Sequence, residues 1–125
     1  MVDSNQAIQW FNDPKFREER IIFLDVRDDA HYQGGHIPSA YQFNYYQPDQ
    51  HLPLVLQAGQ LAERILLYCN GGNCEDSELA AQMLSTAFPP GKLHVYSGGM
   101  SEWSSNSLPV ELGARNSGVL KNAPR

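Results

Sequence analysis

The chain has 125 residues, enough for one compact domain and too few for two of ordinary size. Apolar residues make up 42% and charged residues 18%, a balance that supports a buried core and excludes a disordered chain. A net charge of -5 without any Lys/Arg cluster excludes a nucleic-acid-binding surface, and no apolar run approaches the ~20 residues of a membrane span.

Ser4 can cap a helix running to about Asn12, with Ala7, Ile8, Trp10 and Phe11 as its apolar face, before Asp13-Pro14 stops it. Ile21-Ile22-Phe23-Leu24 is a continuous apolar run with β-branched residues, which predicts a strand buried on both faces of a parallel sheet. Asp25-Val26-Arg27 follow at its end. Asp28-Asp29 can start a short helical turn carrying His31 and Tyr32, and Gly34-Gly35 offer the positive-φ positions at which such a turn stops. Tyr41, Phe43 and Tyr45 alternate with Gln42 and Asn44, the period of a second strand, which Pro48 ends.

Leu52 to Leu61 is apolar-rich and partly helical, with Pro53 and Gly59 limiting its length. Ile65-Leu66-Leu67-Tyr68 is another apolar run that delivers Cys69 at the C-terminal end of a buried strand, where open α/β sheets place ligands. Beyond a glycine-containing loop, Leu79, Ala80, Met83, Leu84 and Ala87 recur at helical spacing, with Asp76 or Ser77 as N-cap. Phe88-Pro89-Pro90-Gly91 breaks this helix. Leu93 to Tyr96 is the last strand, and Gly98-Gly99 precedes a helical turn containing Trp103. Strands alternating with helices predict an α/β sandwich with a mainly parallel sheet covered on both faces. It occupies residues 1–112, and residues 113–125 read as a flexible tail.

The loop Cys69-Asn70-Gly71-Gly72-Asn73-Cys74-Glu75-Asp76-Ser77 joins a buried strand to a helix, so its amides can converge on the thiol or on an anion beside it. A helix N-terminus favours the thiolate, which makes Cys69 the nucleophile candidate; the alternative is a small buried hydrophobe. Two cysteines are too few to staple a small domain, and no CxxC or closely spaced His pair completes a zinc site, so no metal is expected. Cys74 can serve as a resolving cysteine that attacks a persulfide or sulfenate on Cys69 and closes a disulfide, or simply fill a loop position; the first requires Cα atoms within ~7 Å. No Lys or Arg lies between Cys69 and Ser77, and Glu75 and Asp76 place negative charge beside the thiol. These two acids complement the helix dipole, or bear on substrate choice by repelling thiosulfate and phosphate dianions.

Four motifs then agree in order and spacing: Leu24-Asp25-Val26-Arg27, Gly35-His36-Ile37-Pro38-Ser39-Ala40, Tyr68-Cys69, and Ser97-Gly98-Gly99 with Trp103 and Leu108-Pro109-Val110. Over Ser4 to Val110 the chain resembles the rhodanese-like family. The resemblance implies a rhodanese-like three-layer α/β sandwich in which the cysteine takes a sulfane sulfur from a donor as a persulfide and passes it to a nucleophilic acceptor. It implies no metal or organic cofactor. The family's active loop usually reads Cys, two residues, Gly, one residue, Arg, Ser, and continues into paired alanines. Here Gly72 falls at the glycine, Cys74 stands at the arginine, and Ser77 and Ala80-Ala81 match only after a two-residue shift, so the loop reads as longer.

Asp25 and Arg27 are expected to be mainly structural, and His36 is expected to be a hydrogen-bonded turn residue although its pKa would permit proton transfer. The leading expectation is a sulfurtransferase or persulfide carrier acting through Cys69, with a small sulfur donor or persulfidated protein on one side and a thiol acceptor on the other. Thiosulfate is expected to be a poor donor. The alternatives are a recognition or redox-sensing module without turnover, and a thiol-dependent arsenate reductase or phosphatase. The N-terminus lacks a basic segment followed by an apolar run, so a cytoplasmic location is expected.

Overall fold

The structure is a computed structural model and describes residues 1–72 and 74–121. Helix α1 (Ser4–Phe11) is capped by Asp3, whose carboxylate accepts from the Gln6 amide at 2.9 Å. Ser4 was the expected cap; it lies inside the helix, where its hydroxyl meets the Tyr96 hydroxyl at 2.6 Å and donates to Glu102. Asp13-Pro14 end α1 and at once begin α2 (Pro14–Arg17), because proline suits the first helical position and Asp13 accepts from the Lys15 amide.

Four strands form one parallel sheet: β1 (Ile21–Asp25), β2 (Tyr41–Gln42), β3 (Arg64–Tyr68) and β4 (Leu93–Tyr96), in the order β2-β1-β3-β4. Helices α3 (Asp29–Gln33), α4 (Leu52–Leu61) and α5 (Asp76–Leu84) make the three crossovers, and α6 (Gly99–Ser105) follows β4. Ile22 faces Ile65 and Leu24 faces Leu67 across the β1–β3 ladder, and these side chains pack with Val55, Ala80, Leu84 and Phe88 on one side of the sheet. Ile21, Phe23, Leu66 and Tyr68 alternate to the other side, against Ala7, Trp10, Met100 and Trp103. Both faces are therefore dry, which is why the strands read as unbroken apolar runs. This is the expected α/β architecture with a parallel sheet and helices around it.

Several local expectations change. β2 spans only Tyr41–Gln42 because β1, its sole neighbour, ends at Asp25; Asn44 then accepts from the Tyr46 amide at 3.0 Å and turns the chain away. Gly34 keeps a right-handed conformation, and only Gly35 has positive φ, with Val110 packed where a Cβ would stand. Glu75 occupies the N-cap position of α5, with no side-chain cap. Ala80 and Leu84 of that helix are buried, but Leu79 and Met83 face out, 37% and 39% exposed.

The segment expected to be loose from Gly113 onward returns as a hairpin strand. β5 (Val110–Glu111) pairs antiparallel with β6 (Leu120–Lys121), and the buried Glu111 carboxylate accepts from the Ser39 and Asn116 amides. Residues 122–125 of the expected tail lie outside the described residues. Among the described residues no helix is long and apolar enough to cross a membrane.

Candidate active site

Cys69 follows the last residue of β3, the strand between β1 and β4, and only 2% of it is exposed. Its backbone is clamped: the Met100 amide donates to the Cys69 carbonyl at 2.9 Å, and the Ser101 amide to the Asn70 carbonyl at 2.8 Å. This contact brings the first turn of α6 onto the loop. It explains two glycines at once, since a Cβ on Gly99 (φ +57°) would lie 2.4 Å from the Cys69 carbonyl oxygen and one on Gly71 (φ +105°) 2.1 Å from the Gly98 carbonyl oxygen. The pair Gly98-Gly99 in the sequence was a signal of close backbone approach to the cysteine loop, and reading it only as a helix start missed that role.

The Sγ atoms of Cys69 and Cys74 are joined, with Cα atoms 6.6 Å apart across a separation of five residues. That spacing lies within the range a disulfide spans without backbone movement. Cys69 points into the core beside Val26 and Leu67, whereas Cys74 is half-buried at its edge. The Cys74 amide donates to the Gly71 carbonyl at 3.4 Å, which closes the loop into a tight turn. Asn73 lies outside the described residues.

Arg27 reaches the loop from the adjacent strand end. Its Nε and Nη2 grip both oxygens of the buried Asp25 carboxylate, Nη2 also donates to the Gly35 carbonyl at 2.6 Å, and Nη1 donates to Asn70 Oδ1 at 3.2 Å. Burial alone would lower the guanidinium pKa, but the hydrogen bonds and charge of Asp25 outweigh it and raise the value, so the pair is ionic. The loop has no cation of its own, and the one that touches it is neutralised by a bidentate carboxylate. Sequence reading placed Arg27 as structural and did not join it to Asn70; both stand at the C-terminal ends of neighbouring strands, which is the signal that could have joined them.

His36 is fully buried away from the loop's hydrogen bonds. Its ring stacks on Tyr32 with centroids 3.9 Å apart, Nδ1 donates to the Tyr32 carbonyl at 2.9 Å, and Nε2 meets Glu111 Oε1 at 2.9 Å. Burial would push the Glu111 carboxyl up, but the Asn116 and Ser39 amides and His36 hold it below its usual value. Ser77 is buried beneath α5, while Glu75 is exposed and Asp76 accepts from the Tyr46 hydroxyl at 2.7 Å. That contact, led by the Asp76 hydrogen bond, raises the Tyr46 pKa and ties the β2–α4 connection to the start of α5, next to the cysteine loop.

A cysteine set by a central strand of a doubly covered parallel sheet into a glycine-bearing loop before a helix defines a thiol-bearing α/β domain. A family model described as the rhodanese-like domain matches residues 5–106. The chain belongs to the rhodanese-like domain family. None of the curated proteins matches it. Among solved structures it is similar to the BH2092 protein of Bacillus halodurans, with 26% identity over 89% of this chain and 75% of the other and a TM-score of 0.65. It is also similar to a thiosulfate sulfurtransferase of Pseudomonas aeruginosa, 22% identical over 88% of this chain and 20% of that one, TM-score 0.61. An As-Sb reductase of Leishmania major shares the fold at TM-score 0.72 and 12% identity, over 96% of this chain and 90% of the other.

Proposed function

We propose that the chain is a sulfurtransferase or persulfide carrier whose nucleophile is Cys69 and whose resolving residue is Cys74. The observation that carries this reading is the position of the two sulfurs, bonded to each other at the C-terminal end of β3. The Cys69 thiolate attacks the sulfane sulfur of a donor persulfide, the donor thiolate leaves, and Cys69 carries the transferred sulfur. An acceptor nucleophile then takes that outer sulfur and returns Cys69 as thiolate. When no acceptor is present, the Cys74 thiolate attacks Sγ of Cys69, the Cys69–Cys74 bond forms, and the outer sulfur departs as hydrosulfide; two thiols are oxidised and one sulfane sulfur is reduced. The first-turn amides of α5 have no side-chain cap, which leaves them available to the sulfur adduct.

Asp25, Arg27 and His36 support this site by position. Arg27 holds Asn70 and is itself saturated by Asp25 and Gly35, and His36 is occupied by Tyr32 and Glu111. With Glu75 and Asp76 uncompensated in the loop, neutral and protein-bound sulfur donors are favoured over thiosulfate. Steady-state transfer to a thiol acceptor tests the reading: turnover with a low-molecular-weight persulfide is expected to exceed turnover with thiosulfate and to vanish in Cys69→Ser. Equal rates with both donors contradict the donor preference, and undiminished activity in Cys69→Ser contradicts the nucleophile.

The same bonded pair favours a second reading, a redox-sensing module without turnover, because a dithiol that closes reversibly reports oxidation without any sulfur donor. Reversible closure with peroxide together with no mass gain from a persulfide donor selects it.

A further inference from the structure

The molecule is electrically polarised along its strands. No Lys or Arg occurs in residues 28–63, 65–91 or 93–114, so just beyond the C-terminal ends of the sheet strands the described residues carry one, Arg27, which Asp25 neutralises. Five basic side chains lie at the strand beginnings: Lys15, Arg17 and Arg20 before β1, Arg64 opening β3 and Lys92 before β4. Around the cysteine loop stand Glu75, Asp76 and Glu78, with Asp49 on the turn that follows Tyr46.

An apolar cleft lies along α5, about two turns beyond that loop. The Tyr46 hydroxyl bonds to Asp76 at the start of α5, and the 3-10 turn Pro48–Gln50 and the first turns of α4 then run along the helix. Between them is a cavity of about 210 Å³ lined by Pro48, Asp49, Leu52, Leu56, Met83 and Leu84 among others. Tyr46 at 67% exposure, Leu79 at 37% and Met83 at 39% extend it onto the surface. Asp76, Leu79 and Met83 share one face of α5 at helical spacing, so that face leads from the acidic start of the helix, beside Cys74, the more accessible cysteine, to the cleft.

We propose that this cleft is the docking surface for a cationic polypeptide segment that carries a pair of thiols, the partner that reopens the Cys69–Cys74 disulfide. The occupant is identified by charge complementarity and by the apolar face of α5 that joins the cleft to the loop carrying Cys74. A lysine- or arginine-flanked apolar side chain fills the cleft and meets Asp49 at its rim, with Glu75 and Glu78 facing the flanking cations nearer the loop, while an anionic segment is repelled. The partner's thiolate attacks Sγ of Cys74, the Cys69–Cys74 bond breaks, and Cys69 leaves as thiolate. The partner's second thiolate then attacks its own sulfur in the mixed disulfide and releases the Cys74 thiolate, so the partner leaves oxidised and the loop reduced. The inference rests on the reading of Cys69 and Cys74 as a reversible pair.

The full oxidised chain is mixed at low and high salt with two cysteine peptides, one flanked by lysines and one by glutamates, each with a leucine beside the cysteine. The rate of mixed-disulfide formation is divided by each peptide's rate against hydroxyethyl disulfide, which cancels differences in thiol reactivity. The normalised rate is expected to favour the lysine peptide by about tenfold or more at low salt and to converge at high salt. Asp49→Asn with Glu78→Gln should shrink that ratio several-fold, and Met83→Gln should slow the lysine peptide further. A ratio near one at low salt, or one that the Asp49/Glu78 double variant leaves unchanged, overturns the docking surface. If the disulfide cannot be formed at all, the reversible-pair reading fails instead; the surface is then read by fluorescence anisotropy of the lysine peptide with serine in place of cysteine, and absence of salt-sensitive binding overturns it.

Discussion

Arg27, held by Asp25, supplies the side-chain hydrogen bond that steadies Asn70 of the cysteine loop. A buried carboxylate with both oxygens held by one guanidinium makes an asymmetric risk: the intact pair adds little net stability, but removing one partner leaves a buried charge unmatched. Asp25→Ala is therefore expected to cost about 3–5 kcal/mol, measured by urea unfolding. A loss under ~1 kcal/mol would mean that Arg27 finds another partner. Gly99→Ala acts nearer the sulfur, because the new methyl would meet the Cys69 carbonyl and require positive φ. It should destabilise by about 1–3 kcal/mol and displace the loop, seen as a lower yield of the Cys69–Cys74 disulfide under mild oxidation. Glu111 gives a pH signature. Its folded pKa is depressed, so its stabilising contribution is complete above the ordinary carboxylate range, about 4.3, and is lost as pH falls through and below it. Wild type should accordingly lose more stability than Glu111→Gln between neutral pH and about pH 3 in thermal melts.

At the scale of elements, how much could be read in advance depended on whether one neighbour or several decided the outcome. Strands β1 and β3 were legible because both their faces are buried, whereas β2 is shorter than its alternation suggested and the Leu52–Leu61 segment, expected to be only partly helical, is helical throughout. The α5 stripe was half right: Ala80 and Leu84 meet the core, whereas Leu79 and Met83 carry the same apolar signal toward solvent, since the spacing alone cannot choose between the two faces of a short helix. Leu84→Ala should cost about 2–5 kcal/mol, whereas Met83→Gln should stay within ~0.5 kcal/mol in the same denaturation experiment. The hairpin of β5 and β6 was not legible, because it is organised by the Glu111 carboxylate on the amides of Ser39 and Asn116 rather than by an apolar pattern. The contact of Gly98-Gly99 with the cysteine loop was hidden for a similar reason: it joins residues some thirty positions apart through backbone atoms.

For the whole molecule, the parallel sheet does two things for the same site. It delivers Asp25, Cys69 and the Gly98-Gly99 turn to one end and leaves Lys15, Arg17, Arg20, Arg64 and Lys92 at the other, so the acids beside Cys69 face Arg27 alone at that end among the described residues, and Asp25 already pairs it. The proposed preference for neutral or macromolecular sulfur donors follows from this arrangement, because Coulomb repulsion from Glu75 and Asp76 opposes a thiosulfate dianion. The family and the nucleophile candidate were readable in the sequence from the four spaced motifs and the strand-loop-helix pattern around Cys69. What Cys74 does depends on a through-space distance, which the sequence could bound but not supply. The most direct test is intact mass after the reduced protein meets a low-molecular-weight persulfide, for wild type, Cys69→Ser and Cys74→Ser. The expected result is a gain of ~32 Da, one sulfur, that persists in Cys74→Ser, gives way to the two-hydrogen loss of a disulfide in wild type, and is absent in Cys69→Ser. A stable gain in Cys69→Ser, or none in any form, would contradict it.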